Sequence, residues 1–283
     1  MHYRNMLKTS LLLAAIGCYA MVAGGRAAAQ EGRQKGPTPV TTKTLGLSAT
    51  PALSPAAAGS FSSHLTTTPD GKLLLSWLEP GGEKALALKY AIHHAGQWSP
   101  ARTVAANEQI VRYPSVPPVV TALANGRFIA CWTEERKGGK GKWPPEDFHF
   151  SVSPDGGKTW DKPQLAHWDL SESEHSFVSV TPTGADEITA VWLDGRTGKQ
   201  SLMAARIKTD GTASEEKMLD ADVCTCCPTA LARTADGLIA AYRDHEGEMR
   251  DISVMRLRDG QWSEPRPLHR DGWKIDGCPV NGA

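Results

Sequence analysis

The stretch Ala124–Trp132 (ANGRFIACW) joins a tight turn to an apolar run that ends in an aromatic residue. Asn-Gly favours a hairpin turn, because both residues tolerate positive φ. The apolar run that follows is nearly continuous, which is typical of a strand covered on both faces. The same pattern recurs at Pro69–Trp77 (PDGKLLLSW), Thr183–Trp192 (TGADEITAVW) and Ala235–Tyr242 (ADGLIAAY).

A second hairpin turn follows each of these strands, at Ala95–Pro100, Asp155–Pro163, Asp210–Ala213 and Asp259–Pro265. Two hairpins make a four-stranded meander, and the unit recurs about every 50 to 60 residues, which is the spacing of propeller blades. We therefore predict an all-β chain that forms a β-propeller of four-stranded blades. A β-sandwich is the alternative, but sandwiches do not repeat a two-hairpin unit. The predicted complete blades are Ser60–Ala105, Tyr113–Ala166, His175–Leu219 and Cys226–His269, and a fifth begins near Asp276.

The N-terminal segment has the composition of a targeting sequence. Met1–Ala29 carries basic residues, then an apolar run, then three alanines, which is the order of a secretory signal peptide. The apolar run is shorter than the roughly 20 residues of a membrane-spanning helix, so we expect no transmembrane span. Residues 30–59 are predicted to be a flexible linker, and residues 60–283 the propeller domain. We expect an exported, periplasmic or secreted protein, with lipid attachment at Cys18 as an alternative.

The charge balance excludes one class of partner. The chain has 31 basic and 31 acidic residues and no formal net charge. A balanced surface offers no long-range field that would attract nucleic acid or an anionic membrane. We therefore expect a glycan or another cell-surface ligand and no nucleic acid.

The segment Ser153–Trp160 (SPDGGKTW) fits the pattern S-x-D-x-G-x-T-W and resembles the Asp-box of sialidases and other propellers. In this hairpin device the Asp bonds the turn backbone, the Gly takes a special φ, and the Trp packs between strands. It therefore indicates the fold strongly and the chemistry weakly. The matching residues are Ser153, Asp155, Gly157, Thr159 and Trp160.

A longer part of the chain resembles exported, sialidase-like proteins with BNR repeats. The resemblance implies a six-bladed parent and a C-terminally shortened chain, because such proteins continue past the last matching segment. The segments that carry it are Arg112–Ser115, Glu174–Ser179, Val191–Arg196, Val223–Cys227, Tyr242–Asp244, Arg250–Ile252 and Asp271–Gly282.

The channel mouth of the predicted propeller is the expected ligand site. The innermost strand of each blade lines the channel, and its entry end opens onto one face. Polar and reactive residue types gather at these entries, which favours a shared functional mouth. They are His64 in the first blade, Arg112 and Tyr113 in the second, Glu174 and His175 in the third, Cys224–Cys227 in the fourth and Cys278 in the fifth.

The resemblance implies an exo-glycosidase that hydrolyses terminal sugar acids. Sialidases bind the sugar carboxylate with three arginines and use a Tyr nucleophile, a Glu and an acidic proton donor. The candidate catalytic residues are Arg112, Tyr113, Glu174, Asp194, Arg196, Arg243 and Asp244, and the further ligand contacts are His64, His175, Arg250 and Asp251. Local salt bridges within Asp194–Arg196, Arg243–Asp244 and Arg250–Asp251 are the alternative interpretation.

Two other functions stay open from the sequence. The resemblance places the nucleophile in a late blade beyond Ala283, so a non-catalytic propeller that binds glycan or protein is the first alternative. The second is a thiol or metal site at the mouth, where thiolates with His175 would suit copper or zinc. No other cofactor is expected.

The cysteines outside the signal segment are assigned to a disulfide and an inert thiol. The plainest arrangement is a disulfide that joins the Cys224, Cys226 and Cys227 cluster to Cys278, because exported proteins fold in oxidising compartments. Cys131 lies inside an apolar strand and is predicted to be a buried, inert thiol.

Overall fold

The fold is taken from a computed structural model, which describes Gly46, Ser48, residues 53–139 and 144–275, Gly277, Val280 and Gly282. The chain divides into two units, Met1–Ser54 and Pro55–Ala283, and the fold below is that of the second unit. The predicted signal peptide, Cys18, most of the linker and Cys278 lie outside the described residues. In the part of the chain that is described, no helix has the length and apolar character needed to span a bilayer.

The described residues form four antiparallel sheets and no helix. The first sheet contains β1 (Phe61–Thr67), β2 (Leu73–Pro80), β3 (Leu86–His94), β4 (Gln97–Trp98) and β5 (Arg102–Asn107). The second contains β6 (Val119–Ala122), β7 (Phe128–Glu135), β8 (Glu146–Ser153) and β9 (Gln164–Leu165). The third contains β10 (His175–Pro182), β11 (Glu187–Asp194), β12 (Ser201–Lys208) and β13 (Lys217–Asp220). The fourth contains β14 (Ala230–Thr234), β15 (Gly237–Arg243), β16 (Ile252–Arg258), β17 (Gln261–Trp262) and β18 (Arg266–Pro267).

Each sheet is a meander in chain order, as the repeated hairpin pattern predicts. The first strands, β1, β6, β10 and β14, lie next to one another in the same order, so the sheets are stacked like the blades of a propeller. The predicted fold class is therefore confirmed. The second sheet begins at Val119 rather than Tyr113, since three prolines between these positions cannot donate to a strand ladder.

Apolar side chains fill the space between neighbouring sheets. Leu88 and Trp132 belong to the cluster between the first and second sheets, and Phe148 and Trp192 to the cluster between the second and third. A third cluster, which includes Tyr242, joins the third and fourth sheets. Each large side chain buried in this way stabilises the fold by about 1.5–3 kcal/mol. Strands covered on both faces explain the continuous apolar runs in the sequence.

The aromatic end of each second strand bonds a carboxylate. The indole N–H groups of Trp77, Trp132 and Trp192 donate to a carboxylate two residues later, at 2.8, 2.7 and 2.9 Å. Residues two apart in a strand face the same side, so the spacing brings donor and acceptor together. In the fourth sheet the Tyr242 hydroxyl donates instead to Asp220, at 2.6 Å.

The Asp155 carboxylate organises the turn between β8 and β9. It accepts hydrogen bonds from the amides of Lys158 and Thr159 and from the Thr159 and Ser153 hydroxyls. The Ser153 hydroxyl accepts the amide of Gly157 at 2.7 Å. The Trp160 ring packs against the core between the first and second sheets, in a T-shaped contact with a tyrosine. These contacts close the hairpin locally.

Candidate functional site

One face of the stacked sheets carries the entries of the first strands. Antiparallel pairing puts the start of each first strand beside the end of the second strand, as in the pairs Phe61 with Leu78 and His175 with Asp194. Side chains at both kinds of position therefore lie on the same face of the molecule. We call this face the mouth, defined by the residues that precede or begin β1, β6, β10 and β14.

Two first strands are bulged at the mouth. The pairing register shifts after Phe61 in β1 and after Ser176 in β10, and Ser62 and Phe177 adopt φ of 49° and 55°. Positive φ at residues other than glycine costs on the order of 1–3 kcal/mol and clusters at functional sites. The Ser62 hydroxyl donates to the Tyr113 carbonyl at 3.0 Å, so the first bulge anchors the segment that precedes β6.

Two glutamates lie next to each other where the second and third sheets meet. Glu146 begins β8, Glu174 directly precedes β10, and the two residues form a parallel β-bridge. The Glu146 amide donates to the Ser173 carbonyl at 3.3 Å, and the Gln200 amide group donates to the Glu174 carboxyl at 2.9 Å. The main chain thus places the two glutamates side by side, and we call their carboxyl groups the glutamate pair.

Burial changes the acidity of the glutamate pair. It raises the pKa of Glu146 to about 7, and the charge of Glu135 adds to this rise. Burial also raises the pKa of Glu174 to about 8, assisted by the neighbouring Glu146 and opposed by the hydrogen bond from Gln200. With pKa values of about 7 and about 8, the pair is partly protonated at neutral pH.

Tyr113 completes this part of the mouth. Its side chain is 39% exposed, and burial together with the charges of Glu146, Glu135 and Glu174 raises the pKa of its hydroxyl. A neutral phenol in this position can donate or accept a hydrogen bond. The mouth therefore offers a proton donor, a proton acceptor and an exposed aromatic ring at one place.

The sequence placed Tyr113 and Glu174 at neighbouring strand entries, and the structure brings them together. It adds Glu146 and Glu135, which were not among the predicted site residues. These two are partners in the register of β7 with β8, so they face each other at the end of a hairpin. The predicted hairpin could have pointed to them, because both follow from its register.

Asp194 and Arg196 lie behind the mouth. The Asp194 side chain is fully buried and receives two N–H groups from the Arg196 guanidinium, at 2.8 and 2.6 Å. The same guanidinium contacts Glu216 at 2.6 Å. These contacts match the local salt bridge that the sequence offered as the alternative.

His175 faces the core and not the channel, because it is the strand neighbour of Glu174 and points the opposite way. Its side chain is fully buried, stacked on His167 with ring centroids 3.7 Å apart and planes 4° apart. Its Nδ1 contacts the Glu146 carbonyl oxygen at 3.0 Å, and its Nε2 contacts Asp169 at 3.1 Å. His175 is therefore part of the buried core, and its role as a ligand contact stays a prediction.

The buried histidines have acidic neighbours but poor geometry for a shared metal. Asp147, His167 and His175 bring three potential ligand atoms within 4.8 Å of one another, as do Asp169, His175 and Asp194. Imidazole lone pairs lie in the ring plane, so two parallel stacked rings cannot both point at one ion. Arg136 already binds both oxygens of Asp147. The arrangement is that of an ion-paired core.

The predicted ligand residues of the fourth sheet hold the C-terminal segment. The Arg243 guanidinium lies over the Trp273 ring, 4.6 Å from its centroid, and also donates to the Arg250 carbonyl. The Asp251 carboxylate accepts the amides of Trp273 at 2.9 Å and of the preceding Gly272. Asp244 accepts the Ser253 hydroxyl at 2.7 Å.

The three arginines proposed for a sugar carboxylate each have partners of their own. Arg112 is exposed and donates to the Lys84 carbonyl, whereas Arg196 is ion-paired and Arg243 stacks on Trp273. His64 lies in β1, where burial lowers its pKa to about 4. The described contacts do not aim these arginines at one point.

The cysteine cluster lies at the entry of the fourth sheet. Cys224 and Cys227 are buried thiols with sulfur atoms 3.6 Å apart. Cys278 is outside the described residues, so the disulfide from the cluster to that residue stays a prediction. Cys131 is a buried thiol whose pKa is raised by burial, in the position that the sequence predicted.

Comparisons with known proteins show a likeness at the level of fold. The sequence matches no protein-family model and no curated protein. A protein of unknown function from Dyadobacter fermentans is 16% identical over 76% of this chain and 66% of its own, with a TM-score of 0.56.

Two further solved structures are similar at a lower TM-score. A Hadza microbial sialidase is 15% identical over 74% of this chain and 58% of its own, with a TM-score of 0.35. A neuraminidase-like protein from A/bat/Guatemala/164/2009 is 8% identical over 72% and 53%, with a TM-score of 0.49. The chain spans about half to two thirds of the length of these three proteins. The four stacked sheets give this chain an all-β propeller fold, and sialidase-like proteins are among the solved structures similar to it.

Proposed function

We propose that this protein is an exported, glycan-acting propeller that hydrolyses a terminal glycosidic bond at the mouth, with the glutamate pair as its acid and base. The observation that carries the proposal is the pair itself: two neighbouring carboxyl groups at the mouth, Glu146 buried and Glu174 half-buried, both with a raised pKa. Catalytic groups need pKa values near the working pH, and buried carboxyls reach them by desolvation.

The chemistry needs one carboxylic acid and one carboxylate. In glycoside hydrolysis the acid protonates the leaving oxygen, while the carboxylate activates water or attacks the sugar. A pair with pKa values of about 7 and about 8 supplies both forms near neutral pH. Glu174 has the higher pKa, about 8 against about 7 for Glu146, so we assign Glu174 as the acid and Glu146 as the carboxylate.

The charge of the mouth supports a neutral sugar or an amino sugar better than a sugar acid. Glu135 and the ionised member of the glutamate pair would repel a carboxylate on the substrate. Arg196 and Arg243, which the resemblance assigns to that carboxylate, are engaged elsewhere. The exposed ring of Tyr113 offers a surface on which a sugar can stack.

The test is a panel of chromogenic glycosides that spans neutral hexosides, hexosaminides and sialosides. We expect turnover of a neutral or amino-sugar glycoside, and a loss of at least about 100-fold in kcat for Glu146→Gln and for Glu174→Gln. Glu264→Gln, an exposed change on the fourth sheet, is the matched control and should keep full activity.

Two outcomes would reject this assignment. Turnover that survives both Glu146→Gln and Glu174→Gln would show that the glutamate pair does not catalyse the reaction. Binding of the same sugars without turnover by the wild-type protein would support the non-catalytic, glycan-binding propeller in its place.

A further inference from the structure

A second pair of reactive groups lies outside the glutamate pair. Cys224 and Cys227 have the spacing C-x-x-C, and their sulfur atoms are 3.6 Å apart. Both thiols are buried, with 4% and 1% of each residue exposed. They belong to the loop that leads from the third sheet into β14.

The main chain holds one end of this loop. The Cys224 amide donates to the Arg243 carbonyl at 3.0 Å, and the preceding Val223 donates to the Gln200 carbonyl at 2.8 Å. Val223 also forms a β-bridge with Asp244. Cys227 follows three residues after this anchor and lies outside the strands. One sulfur is therefore fixed by the sheet, while the other is carried by a loop.

The surroundings distinguish the two thiols. A hydrogen bond from Cys227, the amide of Cys226 and the positive charges of Arg250 and Arg243 lower the pKa of Cys224 to about 6. The same contact raises the pKa of Cys227, which stays protonated as the donor. A thiolate beside a thiol is the form that attacks a disulfide and is then resolved by its neighbour. Cys131, buried alone in a strand, has no such partner thiol among the described residues.

We propose that Cys224 and Cys227 form a redox-active dithiol that exchanges with small-molecule disulfides, with Cys224 as the attacking and Cys227 as the resolving thiol. The proposal is independent of the glycosidase assignment. The low exposure of both sulfurs favours a small disulfide, such as oxidised glutathione, over the exposed disulfide of a second protein.

The exchange proceeds in two steps. The Cys224 thiolate attacks one sulfur of the small disulfide, whose S–S bond breaks and releases one thiolate, which takes a proton from water. Cys227 then loses its proton and attacks the Cys224 sulfur, which forms the intramolecular disulfide and releases the second thiolate, which takes up a proton in turn. The protein loses two electrons and the Cys227 proton, and the small disulfide gains two electrons and two protons, one of which comes from the solvent. Closing the bond brings the sulfurs from 3.6 Å to about 2.05 Å, which requires a shift of the Cys227 loop.

The experiment equilibrates the full-length protein in buffers of increasing oxidised-to-reduced glutathione ratio. Free thiols are blocked with an alkylating agent, and the cysteine pairs are read by peptide mapping. We expect a disulfide between Cys224 and Cys227 that appears with a single midpoint, and the same midpoint for the matched control Cys131→Ser. In Cys227→Ser we expect Cys224 to accumulate as its glutathione adduct, because the resolving thiol is absent.

The mapping of the wild-type protein decides the result without relying on a variant. Cys224 and Cys227 that stay alkylated at every ratio would overturn the proposal, and so would a map in which either one pairs only with another cysteine.

Discussion

The Tyr90 hydroxyl of the first sheet donates a 2.7 Å hydrogen bond to the carbonyl oxygen of Gly157, in the turn between β8 and β9 of the second sheet. Gly157 has φ of 83°, and a Cβ added there would lie 2.0 Å from the Tyr90 hydroxyl oxygen. The turn needs glycine for two reasons, its backbone conformation and the close approach of the neighbouring sheet.

Gly157→Ala should therefore destabilise the protein more than Gly156→Ala. Both residues have positive φ, which costs alanine about 1–2 kcal/mol. A Cβ at Gly156 would meet only the Gly126 carbonyl, at 3.8 Å, so the second change is the matched control. Forcing the Tyr90 contact apart should cost about 1–3 kcal/mol more in the free energy of unfolding. Urea denaturation measures the difference, and equal losses would show that the contact has no energetic role.

Trp192→Phe should cost more than Trp160→Phe. The Trp192 indole N–H donates to the buried Asp194 carboxylate, whereas the Trp160 Nε1 is buried without a hydrogen-bond partner among the described residues. Hydrogen bonds to charged groups contribute about 1.5–3 kcal/mol. The difference in unfolding free energy should exceed about 1.5 kcal/mol, checked by chemical denaturation. A smaller loss for Trp192→Phe would mean that the repeated aromatic–carboxylate bond does not stabilise the sheets.

Arg196→Met should destabilise the protein, because Arg196 is the ion-pair partner of two carboxylates. The change leaves Asp194 and Glu216 without their shared cation, and removal of one partner from a buried ion pair costs about 3–5 kcal/mol. Arg206→Met is the control, because its side chain is 62% exposed and lies 3.8 Å from Glu187. Such surface pairs contribute about 0–1 kcal/mol. Similar melting temperatures for the two variants would contradict the structural role given to Arg196.

The glutamate pair should make the protein less stable as the pH rises. Both pKa values are raised above the ordinary 4.5, so the unfolded chain loses these protons at lower pH than the folded chain. Below pH 4.5 both glutamates are protonated in the folded and the unfolded chain, so they do not change the free energy of unfolding with pH. As the pH rises from 4.5 through 7 and 8, they lower the free energy of unfolding progressively.

Glu174→Gln removes one of these ionisations. Its melting temperature should exceed that of the wild type in mildly alkaline buffer and lose that advantage in acid, whereas the exposed control Glu264→Gln should follow the wild type throughout. An advantage for Glu174→Gln that is independent of pH would show that Glu174 is not the source.

The blades were predictable because their signals are local. Asn-Gly and Asp-Gly turns, apolar runs and the Ser153–Trp160 hairpin each specify structure within a few residues, and the stacked sheets follow from their repetition. The site was predictable only in part. Tyr113 and Glu174 precede first strands, so their common location follows from the blade architecture.

The remaining site residues depend on tertiary structure. Glu146 begins a third strand, and its position beside Glu174 depends on how the second sheet packs on the third. The burial of His175 depends on strand alternation, which sends its side chain opposite to that of Glu174. The Asp194–Arg196 pair is local, because Arg196 lies in the turn after β11 and its amide also donates to the Asp194 carboxylate, at 3.1 Å.

The most direct test of this account is a pH titration of the glutamate side-chain carbons by ¹³C NMR, with Glu146→Gln and Glu174→Gln used to assign the two signals. We expect midpoints near 7 and 8 in the wild type, and a lower midpoint for Glu174 in the Glu146→Gln variant, because Glu146 contributes to its rise. Two signals that both titrate near 4.5 would contradict the claim that the mouth holds two carboxyl groups with raised pKa values.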